Sequence, residues 1–113
     1  MTKLKIDPGI CGMVATVSAS CEDGETVTVQ VESPCPAIQK MMQELGTEFD
    51  MFEICMVKPG TGPFYEYAAE KLPGHAGCPI CAGIYKCAEA ECNLALKKDV
   101  SFTFLTEERY GGE

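Results

Sequence analysis

The 113-residue sequence has no long apolar run, and its start does not read as an export signal. A membrane-spanning helix needs about 20 consecutive apolar residues, and no segment offers them. Residues 1–6 mix lysine with threonine, leucine and isoleucine, and they lack the continuous apolar stretch of a signal peptide. We therefore expect a protein without a membrane part that works in the cytoplasm.

Positive charge is also scarce, because 9 Lys and Arg stand against 17 Asp and Glu, for a formal net charge of −8. Nucleic acid is therefore not an expected partner, since its phosphates are bound by clustered Lys and Arg. His75 is the single histidine, and the sequence shows no Ser-His-Asp set, phosphate loop, nucleotide fingerprint or c-type haem motif. We expect no enzymatic cycle of its own, with thiol chemistry as the one alternative.

Cysteine is the residue that the chain has in excess, with eight copies. Without an export signal, so many thiols point to metal or redox chemistry more than to a disulfide framework. The hydrophobic fraction of 46% is enough for a core at this length. We expect a single cysteine-rich domain over residues 1–105 and a flexible C-terminal tail over residues 106–113.

Alternating apolar and polar residues predict an antiparallel start to the sheet. The alternation marks strands over residues 3–7, 13–21 and 27–32. Between the second and third, Glu22-Asp23-Gly24 fits a three-residue hairpin loop with glycine at the left-handed position.

The hairpin loop also predicts a register. In this register Val17 faces Val29, which brings the two valine-rich faces together, whereas a one-residue slip would separate them. Continued to the open end of the hairpin, the same register places Cys11 opposite Cys35. Cys21 then lies at the other end, about 30 Å away at roughly 3.3 Å per residue.

Apolar spacing and helix breakers predict the rest of the fold. The further elements are a helix from Pro36 to Gly46, a strand over 49–57, a short helix between Pro63 and Pro73, a helix over 79–98 and a last strand over 100–104. Together they predict an α+β fold, a two-layer sandwich. Its mostly antiparallel sheet would combine the N-terminal hairpin, the middle strand and the C-terminal strand, with two or three helices on one face.

Two cysteines, Cys35 and Cys78, each precede a proline at a predicted helix start. Unpaired N–H groups and the positive end of the helix dipole favour thiolate there, and thiolate binds metal or attacks disulfides. Cys78 and Cys81 form a C-x-x-C pair on neighbouring turns of one helix face, where they can grip one ion. With Cys11 beside Cys35, the predicted metal ligands are Cys11, Cys35, Cys78 and Cys81.

The other candidate ligands are ranked by geometry. Cys55 and His75 are substitutes for members of the predicted set. For His75, the sequence fits a metal ligand and a solvated loop residue equally well. Cys21, at the hairpin tip, is predicted not to be a ligand. Cys87 and Cys92 are predicted to be small buried hydrophobes, because a continuous helix would carry them too far from the C-x-x-C pair.

The sequence also resembles a family of small cysteine-rich proteins of unknown function from anaerobic bacteria and archaea. The stretches that carry the resemblance are Asp7-Pro8-Gly9-Ile10-Cys11-Gly12, Ser33-Pro34-Cys35, His75-Ala76-Gly77-Cys78-Pro79 and Leu94-Ala95-Leu96-Lys97-Lys98-Asp99-Val100-Ser101. The layout of candidate ligands is in addition similar to that of the U-type iron–sulfur scaffold. That likeness implies a ligand set of Cys11, Cys35, His75 and Cys78, and an anaerobic setting would suit an exposed cluster.

These observations lead to one principal hypothesis and two alternatives. The first is a cysteine-ligated metal protein, iron–sulfur rather than zinc, that acts in electron transfer or cluster handling and meets a redox or metal-delivery protein. The second is a structural zinc module for interactions, whose fold would melt without the metal. The third is a metal-free thiol/disulfide redox protein.

Overall fold

The computed structural model describes residues 1–106, which form four strands and four helices. The elements are β1 (Thr2–Ile6), β2 (Ala15–Ser20), β3 (Thr26–Glu32), α1 (Pro36–Leu45), β4 (Glu48–Asp50), α2 (Met51–Cys55), α3 (Pro63–Lys71) and α4 (Ile80–Glu91). The predicted α+β class is confirmed. Within these residues no helix combines the length and the apolar character needed to cross a membrane.

The sheet is antiparallel throughout, with the strands in the order β1-β2-β3-β4. Because side chains alternate across a strand, one face collects the apolar residues and the other the lysines, threonines and serines. The buried residues of the apolar face are Thr2, Ile6, Ala15, Val17, Ala19, Val27, Val29 and Phe49. Helix α4 lies against β1 and β2, and α1 lies against β3, so the core forms between one sheet face and the helices.

The predicted register of the β2–β3 hairpin is wrong by two residues. Val17 pairs with Val31 and Ala19 with Val29, so the parity that joins the apolar faces is kept. The shift arises because the loop is wider than three residues. The carboxylate of Asp23 accepts hydrogen bonds from the backbone N–H groups of Glu25 (2.9 Å) and Thr26 (2.8 Å), which delays the start of β3.

Helix α1 is confirmed at both ends. Cys35 is its N-cap in extended conformation, and Pro36 occupies the first helical position. Gly46 ends the helix with φ at +81°, a conformation that glycine adopts at little cost. Ile38 and Met41 point into the core.

The predicted strand over residues 49–57 is mostly helix. Only Glu48–Asp50 pairs with the sheet, and α2 begins directly afterwards. Asp50 caps the new helix, since its side chain accepts a hydrogen bond from the backbone N–H of Phe52 at 2.9 Å. The turn to helix places Cys55 at the end of α2.

Helix α4 is shorter than predicted at both ends. Its N-cap is Pro79, so Cys78 lies one position before the cap. It ends at Glu91 because Asn93 adopts a left-handed conformation with φ at +61°. The N–H of Leu94 donates to the carbonyl of Glu89 (2.9 Å) and that of Asn93 to Ala90 (3.2 Å), which is the Schellman pattern of helix termination.

The predicted last strand is not formed within the described residues. Residues 99–105 belong to no helix or strand, and Phe102 and Phe104 are 87% and 100% exposed. Residues 107–113 of the predicted tail lie outside the described residues.

Candidate thiol site

Cys11 and Cys35, which the predicted register places opposite each other, lie in different settings. The β2–β3 ladder ends at the Thr16–Glu32 pair, before it reaches either cysteine. Cys11 is exposed in the turn between β1 and β2. Cys35 is half-buried at the start of α1 and packs against the core.

Cys78 and Cys81 lie close together at the start of α4. The backbone N–H of Cys78 donates to the carbonyl of His75 at 3.2 Å, which folds the loop back on the helix start. Cys81 is buried, and its Sγ donates to the carbonyl of Phe64 at 3.9 Å. Burial, and then the neighbouring charge of Cys78, raise the pKa of Cys81 to about 11. His75 itself is exposed.

The described residues contain no group of three or more His, Cys, Asp or Glu side chains arranged so that they could hold a metal ion. The predicted ligand set is therefore not preassembled, and it stays a prediction. Its members are Cys11, Cys35, Cys78 and Cys81, with Cys55 and His75 as substitutes.

A different pair of thiols is in direct contact. Cys55 Sγ donates to Cys92 Sγ at a sulfur–sulfur distance of 3.6 Å, between two residues that are 37 positions apart in the chain. A disulfide would require about 2.05 Å. Two thiolates on one tetrahedral metal, each about 2.3 Å from it, would be about 3.8 Å apart. The observed spacing is close to that of two ligands sharing an ion.

Helix ends place both members of this pair. Cys55 is the last residue of α2, and Cys92 is the C-cap of α4. The Asp50 cap fixes where α2 starts, and the left-handed Asn93 fixes where α4 stops. The two helices pack together, and their C-terminal ends bring the two sulfurs into contact.

A third thiol, Cys21, lies at the same end of the molecule. Its hydrogen bond and its charge both contribute, after burial, to raising the pKa of Cys92. Its backbone N–H donates to Glu91 Oε2 at 3.1 Å, while Glu91 Oε1 accepts from the Thr2 hydroxyl at 2.7 Å. Glu91 thus ties the end of α4 to the end of β2 and the start of β1, and it holds Cys21 next to Cys92.

The electrostatics around the pair favour neutral thiols. Burial, followed by the hydrogen bond and charge of Cys92, raises the pKa of Cys55 to about 12, and the charge of Glu89 adds to the shift. Burial is also the largest cause of the raised pKa of Cys92. A soft cation that binds here must displace the thiol protons, and its positive charge would then neutralise the two thiolates.

Cys87 has a different environment in the interior. It is 1% exposed, and its Sγ lies 3.4 Å from the carbonyl oxygen of Thr2 and 3.8 Å from that of Val17. Burial, and then the charge of Glu91, raise its pKa to about 11. The predicted burial of Cys87 is confirmed, and it provides a matched control for Cys92 near the end of the same helix.

Two of the three thiols at this end of the molecule, Cys21 and Cys92, are absent from the predicted ligand set. The sequence does contain signals for the helix ends that place Cys55 and Cys92. Asp50 with Glu53 three residues later is typical of a helix N-terminus, and Asn93 is a residue that commonly stops a helix. Those signals end the strand at residue 50 and α4 at Glu91, so that Cys92 is its C-cap.

The eight thiols are predicted to differ widely in reactivity. Cys11 is exposed, whereas Cys81 and Cys87 are buried, with pKa values raised to about 11 by burial. Since the thiolate is the nucleophile, we expect iodoacetamide at pH 7.5 to alkylate Cys11 at least about tenfold faster than Cys81 or Cys87. Time-resolved peptide mass spectrometry of the reduced protein under non-denaturing conditions measures this. Equal rates at Cys11 and Cys87 would contradict the described burial.

The chain is a small α+β protein whose antiparallel sheet carries its helices on one face. Cys21, Cys55 and Cys92 lie at one end of the molecule. A family model described as a family of unknown function, DUF6951, matches residues 2–104. The chain belongs to this family. No curated protein and no solved structure matches it.

Proposed function

We propose that the protein binds a thiophilic metal through cysteine thiolates, with Cys55 and Cys92 as the first two ligands and Cys21 as the third. The observation that carries the proposal is the 3.6 Å separation of Cys55 Sγ and Cys92 Sγ. This is close to the spacing of two sulfurs on one tetrahedral ion and much longer than a disulfide bond. Cys21 is the nearest further thiol to this pair, because the hydrogen bond from its backbone N–H to Glu91 ties it to the end of α4 beside Cys92.

The donor set limits the choice of metal. Thiolates are soft ligands that suit zinc, iron and iron–sulfur clusters, and they disfavour magnesium and calcium. We place an iron–sulfur cluster first and zinc second. The first choice follows the resemblance expected from the sequence to small cysteine-rich proteins of anaerobes, because such cells maintain oxygen-sensitive clusters.

The number of thiols suggests how the metal would be used. Three protein ligands leave one tetrahedral position open, in contrast to closed structural sites with four. An open position suits exchange with a partner, so we propose a role in electron transfer or cluster handling with a redox or metal-delivery protein. The predicted set of Cys11, Cys35, Cys78 and Cys81 is a competing location for the same chemistry.

Metal analysis of protein purified without oxygen tests the proposal. The measurements are iron, zinc and acid-labile sulfide per chain, together with the visible absorption spectrum. Brown protein with iron and sulfide would support the cluster, and colourless protein with stoichiometric zinc would support the second choice of metal. Protein that is metal-free and takes up neither metal on anaerobic reconstitution would overturn metal binding.

A dithiol redox function is the second candidate, and direct contact between Cys55 and Cys92 favours it. Oxidation would join the two sulfurs, while two electrons and two protons pass to a low-molecular-weight disulfide that leaves as two thiols. Metal-free protein equilibrated with a disulfide such as oxidised glutathione should then lose two thiols and yield a Cys55–Cys92 cross-linked peptide. Scattered pairings, or mixed disulfides only, would exclude this candidate.

A further inference from the structure

The segment that follows α4 has the pattern of a strand but no neighbour within the described chain. Val100, Phe102 and Phe104 alternate with Ser101 and Thr103. The three apolar side chains are 56%, 87% and 100% exposed. An alternating apolar row of this length normally packs on one face of a sheet. Its exposure leaves a large apolar surface in water, which marks an interaction site in a stable protein.

A complementary surface exists at the edge of the sheet. Strand β1 pairs with β2 on one side and is the first strand in the sheet order, so the other side of β1 is an open edge. An open edge presents unpaired N–H and C=O groups, which are a template for another strand. With five residues, β1 offers a longer template than the three-residue β4 at the opposite edge.

The path of the chain favours pairing of the segment with the sheet of a second copy over pairing with its own sheet. Residues 96–99 line a groove together with Thr2 and Leu4, so the chain passes next to its own β1 and then leaves it unpaired. The radius of gyration is 15.2 Å, whereas about 13 Å is usual for a compact domain of 100 residues. The segment thus starts at the β1 edge and extends away from the domain, which is the geometry needed to reach the same edge of a neighbouring copy.

We propose that residues 100–105 of one copy add as a fifth strand to β1 of a second copy, and that the exchange is reciprocal. The backbone of the segment would pair with the open edge, as in other strand additions. A two-fold arrangement uses both segments and both edges and leaves no further open β1 edge, so assembly would stop at a dimer. This proposal does not depend on metal binding.

The molar mass of the full chain tests the dimer. Size-exclusion chromatography with light scattering of the metal-free, reduced protein is expected to give 24.4 kDa, twice the 12.2 kDa of one chain. The double variant Phe102→Ser, Phe104→Ser should dissociate at concentrations at least about 100-fold higher, because two large apolar side chains no longer become buried. Phe52→Ser is the matched control, since Phe52 is also exposed but lies on α2. A monomer of the unaltered chain, or equal weakening by Phe52→Ser, would overturn the proposal.

Hydrogen exchange locates the contact. When protein concentration rises through the dimerisation range, amides of residues 2–6 and 100–105 should exchange at least about tenfold more slowly, while those of β4 stay unchanged. Protection in β4 in place of β1 would show that the wrong edge had been identified. Protection of residues 100–105 that is independent of concentration would show that the segment pairs within its own chain, which also contradicts the proposal.

Discussion

Replacing either Cys55 or Cys92 by serine is expected to abolish stoichiometric metal binding. Serine is nearly isosteric but is a poor ligand for a thiophilic ion, so each substitution removes one of the two preplaced donors. Loss of a group that only supports a ligand weakens metal binding by about 10–100-fold, and loss of the ligand itself should exceed that. Metal content after anaerobic reconstitution and desalting measures the effect.

The controls for this experiment come from the same chain. Cys87 lies in α4, the helix that Cys92 caps, but its sulfur faces backbone carbonyls in the core. Cys87→Ser should therefore retain the metal. Cys35→Ser and Cys78→Ser test the competing set and should also retain the metal. Retention in Cys55→Ser and Cys92→Ser with loss in Cys35→Ser and Cys78→Ser would instead place the metal at the competing set. Circular dichroism of each variant verifies that it is folded.

Cys21→Ser refines the same prediction. The thiol of Cys21 lies next to Cys92 without being preassembled with the pair, so the structure distinguishes it from the two primary ligands. We expect this variant to bind metal measurably more weakly than the unaltered chain and more tightly than Cys92→Ser. Binding equal to that of the unaltered chain would remove Cys21 from the proposed ligand set.

Truncating Phe64 is expected to give the largest loss of stability among single substitutions in the core. Phe64 is fully buried, with ring centroids 4.9 Å from that of Phe49 and 5.6 Å from that of Tyr85. It thereby joins α3 to both the sheet and α4. Phe64→Ala removes this contact and leaves a cavity, which typically lowers the free energy of unfolding by about 3–5 kcal/mol.

Urea denaturation followed by circular dichroism measures the loss. Phe52→Ala is again the matched control, because this exposed phenylalanine should change the free energy of unfolding by less than about 0.5 kcal/mol. Both variants are compared with the unaltered chain in reduced, metal-free buffer. A loss below about 1 kcal/mol for Phe64→Ala would contradict the described packing of α3 against the sheet.

The sequence predicts the first three strands and α1 well because their signals are local. Strand periodicity and a turn are enough for the hairpin, and the parity of its register follows from the two valine-rich faces. Cys35-Pro36 and Gly46 define α1 without help from the rest of the fold. The two-residue error in register came from the Asp23 side chain, whose hydrogen bonds to the loop widen it.

The thiol pair could not be predicted with the same assurance, because it depends on where two helices end. Phe52, Ile54 and Met56 alternate as in a strand, and the competing helix signal at Asp50 rests on a single cap. Likewise, Cys92 lies in a run of good helix formers, and only Asn93 indicates the stop. An error of one or two residues in the predicted end of a helix changes the predicted position of the cysteine sulfur there.

The last predicted strand illustrates a different limit. The alternation of Val100, Phe102 and Phe104 is a sound strand pattern, yet a strand forms only where it has a neighbour to pair with. Nothing in the sequence states whether that neighbour belongs to the same chain. The described chain provides an open edge at β1 and leaves the segment unpaired, which is why a second copy becomes the relevant partner.

X-ray absorption at the metal edge tests the central claim most directly. The sample is protein loaded anaerobically with iron and sulfide, or with zinc, and measured after desalting. Thiolate binding predicts a first shell of at least three sulfur atoms at about 2.3 Å from the metal in the unaltered chain. Cys55→Ser should retain too little metal after desalting to give this shell. A first shell of oxygen or nitrogen alone, or a sulfur shell that Cys55→Ser and Cys92→Ser both leave intact, would contradict the proposed site.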